Sequence, residues 1–252
     1  MLLSFLCGVL PGTVFGLIGV GSGIFAILLF NYVLKLPIHV SLPLALLLTF
    51  IASLFTVSKS GGGRCIPRSG VMIIVGVAVL MSPVGVFVSE KIDAQVLKNI
   101  FNIFMVFASF MMWPRKNEKK ASEIYLTKTR YMVLSIIGGV AGFMNAILGV
   151  SGGIIIVPAL TYVGFDVKKS VTTSAYVVLF TTIASLASYF YTREGLLIFF
   201  YKEHVLVLTL IVGCVVGSAF GNKLSVMFSS SILKKIFSIL VFCVAIVTFI
   251  NR

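Results

Sequence analysis

The stretch "NAILGVSGGIIIVP", residues 145–158, decides how this chain is read. It sets Gly149, Ser151, Gly152 and Gly153 in the middle of the apolar run 131–163. A glycine in a helix interior costs about 1 kcal/mol against alanine. Pro158 has no backbone donor and disfavours the α region in the residue before it. A helix is expected to break here, within surroundings that look like lipid.

The rest of the composition supports that setting. Of the 252 residues, 59% are hydrophobic and only 11% charged, against about 25% charged in soluble domains. The mean hydropathy of +1.15 excludes an ordinary soluble fold and predicts a polytopic membrane protein. Lysine and arginine number 20 against 7 acidic residues, a net +13. These cations lie between apolar runs, so they read as loop charges facing an anionic bilayer rather than a nucleic-acid surface. Cys7, Cys65, Cys214 and Cys243 are scattered without metal-ligand spacing and read as small buried hydrophobes. The opening "MLLSFLCGVL" lacks a positive region and a cleavage site, and reads as part of the mature chain.

Apolar runs fall at 2–34, 40–58, 70–89, 96–113, 131–163, 171–191, 204–224 and 232–250. Most suit one crossing, which takes about 20 residues. The first and fifth are too long for one crossing and too short for two with a turn. Each carries a glycine cluster, so two half-length helices around a break are expected in each. The hydrophilic segment 114–130 follows Trp113 and separates two halves of similar layout. "GLIGVGSGI" (16–24) aligns with "AILGVSGGI" (146–154), "TFIASL" (49–54) with "TTIASL" (181–186), and "VLKNIF" (96–101) with "ILKKIF" (232–237). Matches kept in order predict an internal duplication, common among secondary transporters. The expected organisation is a first membrane repeat over 1–113, a basic linker over 114–130 and a second membrane repeat over 131–252. The fold expected is all-α, a polytopic transmembrane helical bundle of two internal repeats, each opening with a glycine-broken segment that crosses or re-enters.

Irregular backbone survives at membrane depth only where protein buries it or water reaches it. A half-helix starting at such a break presents free N–H groups and the positive end of its dipole, which bind anions without a charged side chain. Glycine allows close approach to the backbone. The candidate substrate-binding residues are Gly19, Gly21, Ser22 and Gly23 in the first half, and Asn145, Gly149, Ser151, Gly152 and Gly153 in the second. Thr172, Thr173 and Ser174 complete the set. Other roles stand beside these. The glycines could serve close helix packing, Asn145 could cap the break, and the Thr-Thr-Ser hydroxyls could bond their own helix.

No acidic or basic residue lies mid-run, so a carboxylate proton relay or a lysine Schiff base is not supported. No zinc-protease, serine-hydrolase or phosphate-loop motif occurs. "SGGGRC" (60–65) lacks the lysine of a phosphate loop and reads as a loop. No catalytic residue, metal or cofactor is assigned. The two readings set against transport are a membrane-embedded enzyme and a structural or accessory subunit.

Topology follows from the basic residues. If both long runs cross, the repeats are parallel. If both dip in and return, the second repeat is inverted. The linker side then gathers 14 of the 20 cations, the six from 114–130 included, a clearer positive-inside bias. The inverted arrangement, with the linker cytoplasmic, is therefore expected.

"GVSGGIIIVPAL" followed by "SVTTSA" resembles the sulfite exporter TauE/SafE family of membrane permeases, and "GVGSGIFAILLF" is similar to a first-half copy of the same motif. Gly149, Gly152, Gly153, Pro158, Thr173 and Ser174 match it, as do Gly19, Gly21 and Gly23. The first half has no counterpart of Pro158, and "SLPLA" stands where the family has a Thr-Ser pair, which makes the second half the better ligand site. The resemblance implies a multi-pass protein of the cell (inner) membrane, surrounded by the lipid bilayer. It would carry a small anionic substrate such as sulfite, a sulfonate or thiosulfate. No nucleic-acid partner is implied, and a homo-oligomer is compatible with the reading.

Overall fold

The computed structural model describes residues 1–19, 21–60, 65–112 and 128–225, with six positions between 235 and 245. Most of the linker and of the last apolar run lie outside the described residues. What is described is helical. The elements are α1 (Leu2–Ile18), α2 (Ser22–Leu28) continued by a π-helical turn (Leu29–Val33), α3 (Ile38–Ser60), α4 (Arg68–Lys91), α5 (Ala94–Met112), α6 (Lys128–Leu148), α7 (Gly153–Val163), α8 (Val167–Thr192), α9 (Glu194–Lys202) and α10 (His204–Ser225). Six of these, α3, α4, α5, α6, α8 and α10, are long and apolar enough to cross a membrane.

Burial is arranged as lipid demands. Leu2, Leu6 and Leu10 of α1, Met72, Leu80 and Phe87 of α4, and Ile103, Phe107 and Phe110 of α5 are exposed. Serine and threonine turn inward: Ser22, Thr49, Ser82, Thr173 and Thr182 have no exposed surface. Many of these hydroxyls donate to a carbonyl on their own helix, as Ser82 does to Ala78 at 2.8 Å. That suits a medium with no water to satisfy them.

Each long apolar run does contain a helix end at its glycines. α1 stops at Ile18, Gly19 takes φ +75°, Gly21 takes φ +91°, and α2 starts at Ser22. α6 stops at Leu148, Gly149 takes φ +61°, and α7 starts at Gly153. The arms are not equal halves, however. α1 has 17 residues and α6 has 21, about 26 and 32 Å at 1.5 Å per residue, against a hydrocarbon core of about 30 Å. The second arms, Ser22–Val33 and Gly153–Val163, reach only about half of that depth. Pro158 is not the breaker. It sits inside α7, where the helix continues past it although it offers no N–H to the Ile154 carbonyl.

Two close pairings lock the halves together. α1 lies along α10 with Gly8 on Leu210, Gly12 on Cys214 and Gly16 on Ser218. From the other side, Gly213 meets Phe5, Gly217 meets Val9 and Gly221 meets Thr13. A Cβ at any of these glycines would run into backbone of the partner helix, so the ladder depends on small residues as membrane helix pairs do. α4 and α6 are paired in the same way, with Gly138 on Ile74, Gly142 on Ala78 and Gly85 on Ala146. In both pairs the residue numbers rise together, so the helices are parallel.

α8 sets the relative sense of the first segments. Gly19, just past the end of α1, meets Val171 near the start of α8. Ala146, near the end of α6, accepts a hydrogen bond of 3.0 Å from the Tyr189 hydroxyl near the end of α8. α1 and α6 therefore run in opposite directions. After each break the chain turns back. Gly152 rests on the Ala141 carbonyl, two turns before the end of α6. α2 runs back along α3, with Ser22 beside Thr49 and Ile27 and Leu42 both facing Gly149.

Candidate functional site

The two returning arms meet. A side chain built on Gly23, the second residue of α2, would collide with the Gly149 carbonyl, the Val150 Cα and the Ser151 amide. Glycine at 23 thus lets one break press its backbone on the other at the centre of the bundle. Gly149 needs its own glycine twice over. Its φ is +61°, and a Cβ there would lie 3.0 Å from the Leu42 carbonyl oxygen, so a side chain would be strained in backbone and in space.

The polar groups at the two breaks differ. In the first, Ser22 is fully buried and its hydroxyl shares a hydrogen bond of 2.8 Å with Thr49 Oγ1. Thr49 stands at the middle of α3, a position that the sequence reading passed over. A lone hydroxyl inside "LLLTF" was the available signal. In the second, Asn145 and Ser151 are fully buried, and among the described residues neither the Asn145 amide nor the Ser151 hydroxyl has a hydrogen-bond partner. Nearly all buried polar atoms in native proteins are paired, and each unpaired group costs about 1–3 kcal/mol. Asn145 does not cap the break.

α7 begins at this second break. No side chain caps its start, and the turn closes through the Ile155 and Ile156 amides, each 3.0 Å from the Gly152 carbonyl. An uncapped start on an eleven-residue helix brings the positive end of its dipole to the place where Asn145 and Ser151 lack partners. α2, with seven residues before its π turn, is also uncapped.

The Thr172–Ser174 cluster lies near the start of α8. Thr173 Oγ1 accepts the Ile66 amide at 3.2 Å, and the Cys65 thiol bonds to it as well. Ser174 donates to the Val171 carbonyl at 2.8 Å. Thr172 is buried and has a partner of its own. This cluster ties the start of α8 to the loop before α4, and Val171 beside it meets Gly19. In that loop burial pushes the Cys65 thiol up, keeping it protonated. Among the described residues no three His, Cys, Asp or Glu side chains gather as a metal site would require.

A bundle that turns leucine outward, hides hydroxyls and an amide, and brings two backbone breaks together inside is the build of a polytopic membrane transporter. Its relatives agree. The chain belongs to the sulfite exporter TauE/SafE family, whose profile matches residues 4–248. It is 29% identical over 269 aligned positions to a probable membrane transporter protein of Haemophilus influenzae, covering 100% of this chain and 98% of the relative. A probable membrane transporter protein of Xylella fastidiosa is 26% identical over 245 positions, 95% of this chain and 91% of that one. One from Methanocaldococcus jannaschii is 30% identical over 105 residues, a match that spans 42% of this chain and 38% of that relative's length. No solved structure matches the chain.

Proposed function

We propose that this transporter carries a small anion, a sulfur oxyanion or an organosulfonate, through a site at the second helix break. Asn145, Ser151 and the start of α7 at Gly152 and Gly153 bind the ligand. Gly149 shapes the turn, and Gly19, Gly21, Ser22 and Gly23 form the opposing wall. The observation that carries this reading is the pair of fully buried, partnerless groups, Asn145 and Ser151, beside an uncapped helix start. Asn145 and Ser151 both have donors to offer, and a helix start favours negative charge. The Thr172–Ser174 cluster acts by holding α8 in place. The chemistry is movement across the inner cell membrane and not catalysis.

The two halves are inverted repeats of one ancestral unit, with the basic linker in the cytoplasm and residue 1 on the far face. The opposed senses of α1 and α6 support this, as does the gathering of 14 cations on the linker side under that arrangement.

Flux in proteoliposomes of sulfite, thiosulfate, sulfate and isethionate tests the reading. Uptake of at least one, lost in Gly152→Leu with membrane insertion intact, is expected. Wild-type vesicles that move none of them would overturn it. Cysteines placed at Lys59 and Lys202 on a cysteine-free background should label from opposite sides, and same-side labelling would sink the inverted arrangement.

A further inference from the structure

On the far face, away from the linker, a cavity of about 240 Å³ opens between α2, the start of α3 and the start of α5. With water occupying roughly 30 Å³ per molecule, it is large enough for a small anion and part of its hydration shell. α5 turns Gln95, Lys98, Asn99 and Asn102 to it, spaced three, four and seven residues from the first, the polar stripe of one helix face. Asn31 and Tyr32, from the π-helical turn after α2, stand across from them.

The charge in this cavity is unbalanced. Lys98 is exposed and has no ion pair among the described residues, where Glu90 and Arg193 form the salt bridge. Asp93, the carboxylate nearest in sequence, does not line the cavity and accepts a hydrogen bond of 2.8 Å from the Gln95 backbone N–H. One cation among amide side chains attracts anions and supplies several donors to them. The inner wall of the cavity is Ile27, and Ile27 is one of the side chains packed over Gly149. The cavity therefore ends one side chain short of the second break. The second-half segment "ILKKIF" carries Lys234 where "VLKNIF" carries Lys98.

We propose that this cavity is the far-face vestibule of the transport path, in which Lys98, Gln95 and Asn102 collect the soluble anion before it reaches the break. The proposal rests on the functional reading given above, and its occupant is the free anion, not a lipid phosphate.

The test has two arms. In oriented proteoliposomes, Lys98→Gln should raise the apparent KM for sulfite added at the far face about three- to tenfold. Water screens an exposed ammonium, so the effect falls short of that of a buried contact. The KM from the linker face and the maximal rate should not change, and Lys98→Arg should restore most of the loss. An unchanged far-face KM overturns the proposal. The second arm needs no transport. In a cysteine-free background, Gln95→Cys should react with an impermeant maleimide from the far face, and isethionate should slow that reaction only while Lys98 is present. If wild type moves no anion but this protection is seen, the transport reading falls and the anion site stands. If protection is absent, or follows the anionic lipid content of the vesicles instead of isethionate, the vestibule is refuted.

Discussion

The two helix breaks use one backbone device and leave their polar groups in different states. At the first, Ser22 and Thr49 satisfy each other across 2.8 Å. At the second, Asn145 and Ser151 are equally buried and have no hydrogen-bond partner among the described residues. Glycines with positive φ make both turns possible, so the turn alone does not mark a binding site. What separates the breaks is the free hydrogen-bonding capacity left at one of them. A closed pair needs no further partner, whereas an open one keeps donors and acceptors unused. The two breaks thus carry unequal chemistry.

The largest effect that would break this comparison is expected at Gly23, which touches both breaks. Gly23→Val drives a side chain into the Gly149 carbonyl. It should reduce flux on the order of a hundredfold, as displacements of about 1 Å at a site do. Gly76→Ala, with nothing within 4 Å of its Cβ, is the matched control and should leave flux unchanged in the same assay. Near-normal flux in Gly23→Val would mean that contact between the breaks is not needed.

Asn145→Leu comes next and sharpens the contrast. It should lower anion affinity roughly tenfold to a hundredfold, the loss of a donor to a charged ligand. It should also raise the thermal unfolding midpoint in detergent without substrate, because an unpaired buried amide is gone. A lower midpoint would show that Asn145 is structural.

Thr49→Val is the mirror experiment. It strands Ser22 and should destabilise the fold by about 1–3 kcal/mol with little change in KM. A KM shift without destabilisation would move the ligand to the first break. Thr173→Val removes the acceptor for the buried Ile66 amide. It should cost about 1–3 kcal/mol of stability and shift KM less than Asn145→Leu does. A larger KM change would bring Thr173 into the binding site.

Much of this architecture was legible from run lengths and glycine clusters, because a helix must span a fixed thickness and glycine is what lets it turn. Gly19, Gly21 and Gly149 stood out in the sequence for that reason. Pro158 looked like a breaker only because local propensity ignores packing, and buried neighbours hold α7 together through it. The stripe of Gln95, Lys98, Asn99 and Asn102 was present at helical spacing, but its meaning depended on α2 folding back to wall the cavity. Which hydroxyls are paired was out of reach, since Ser22 and Thr49 meet only after α2 returns along α3. The four-residue spacing of Gly8, Gly12 and Gly16 went unread, and nothing local points from α1 to its partner α10.

That last pairing governs how the protein is made. α1 leaves the ribosome well before α10, which carries the surface it needs. Until then its row of glycines lies against lipid or a temporary companion. Contacts so distant in sequence slow assembly and leave intermediates open to wrong partners. A chain cut off before residue 204 would strand α1 and invite quality control, even though every residue of both breaks had already been made.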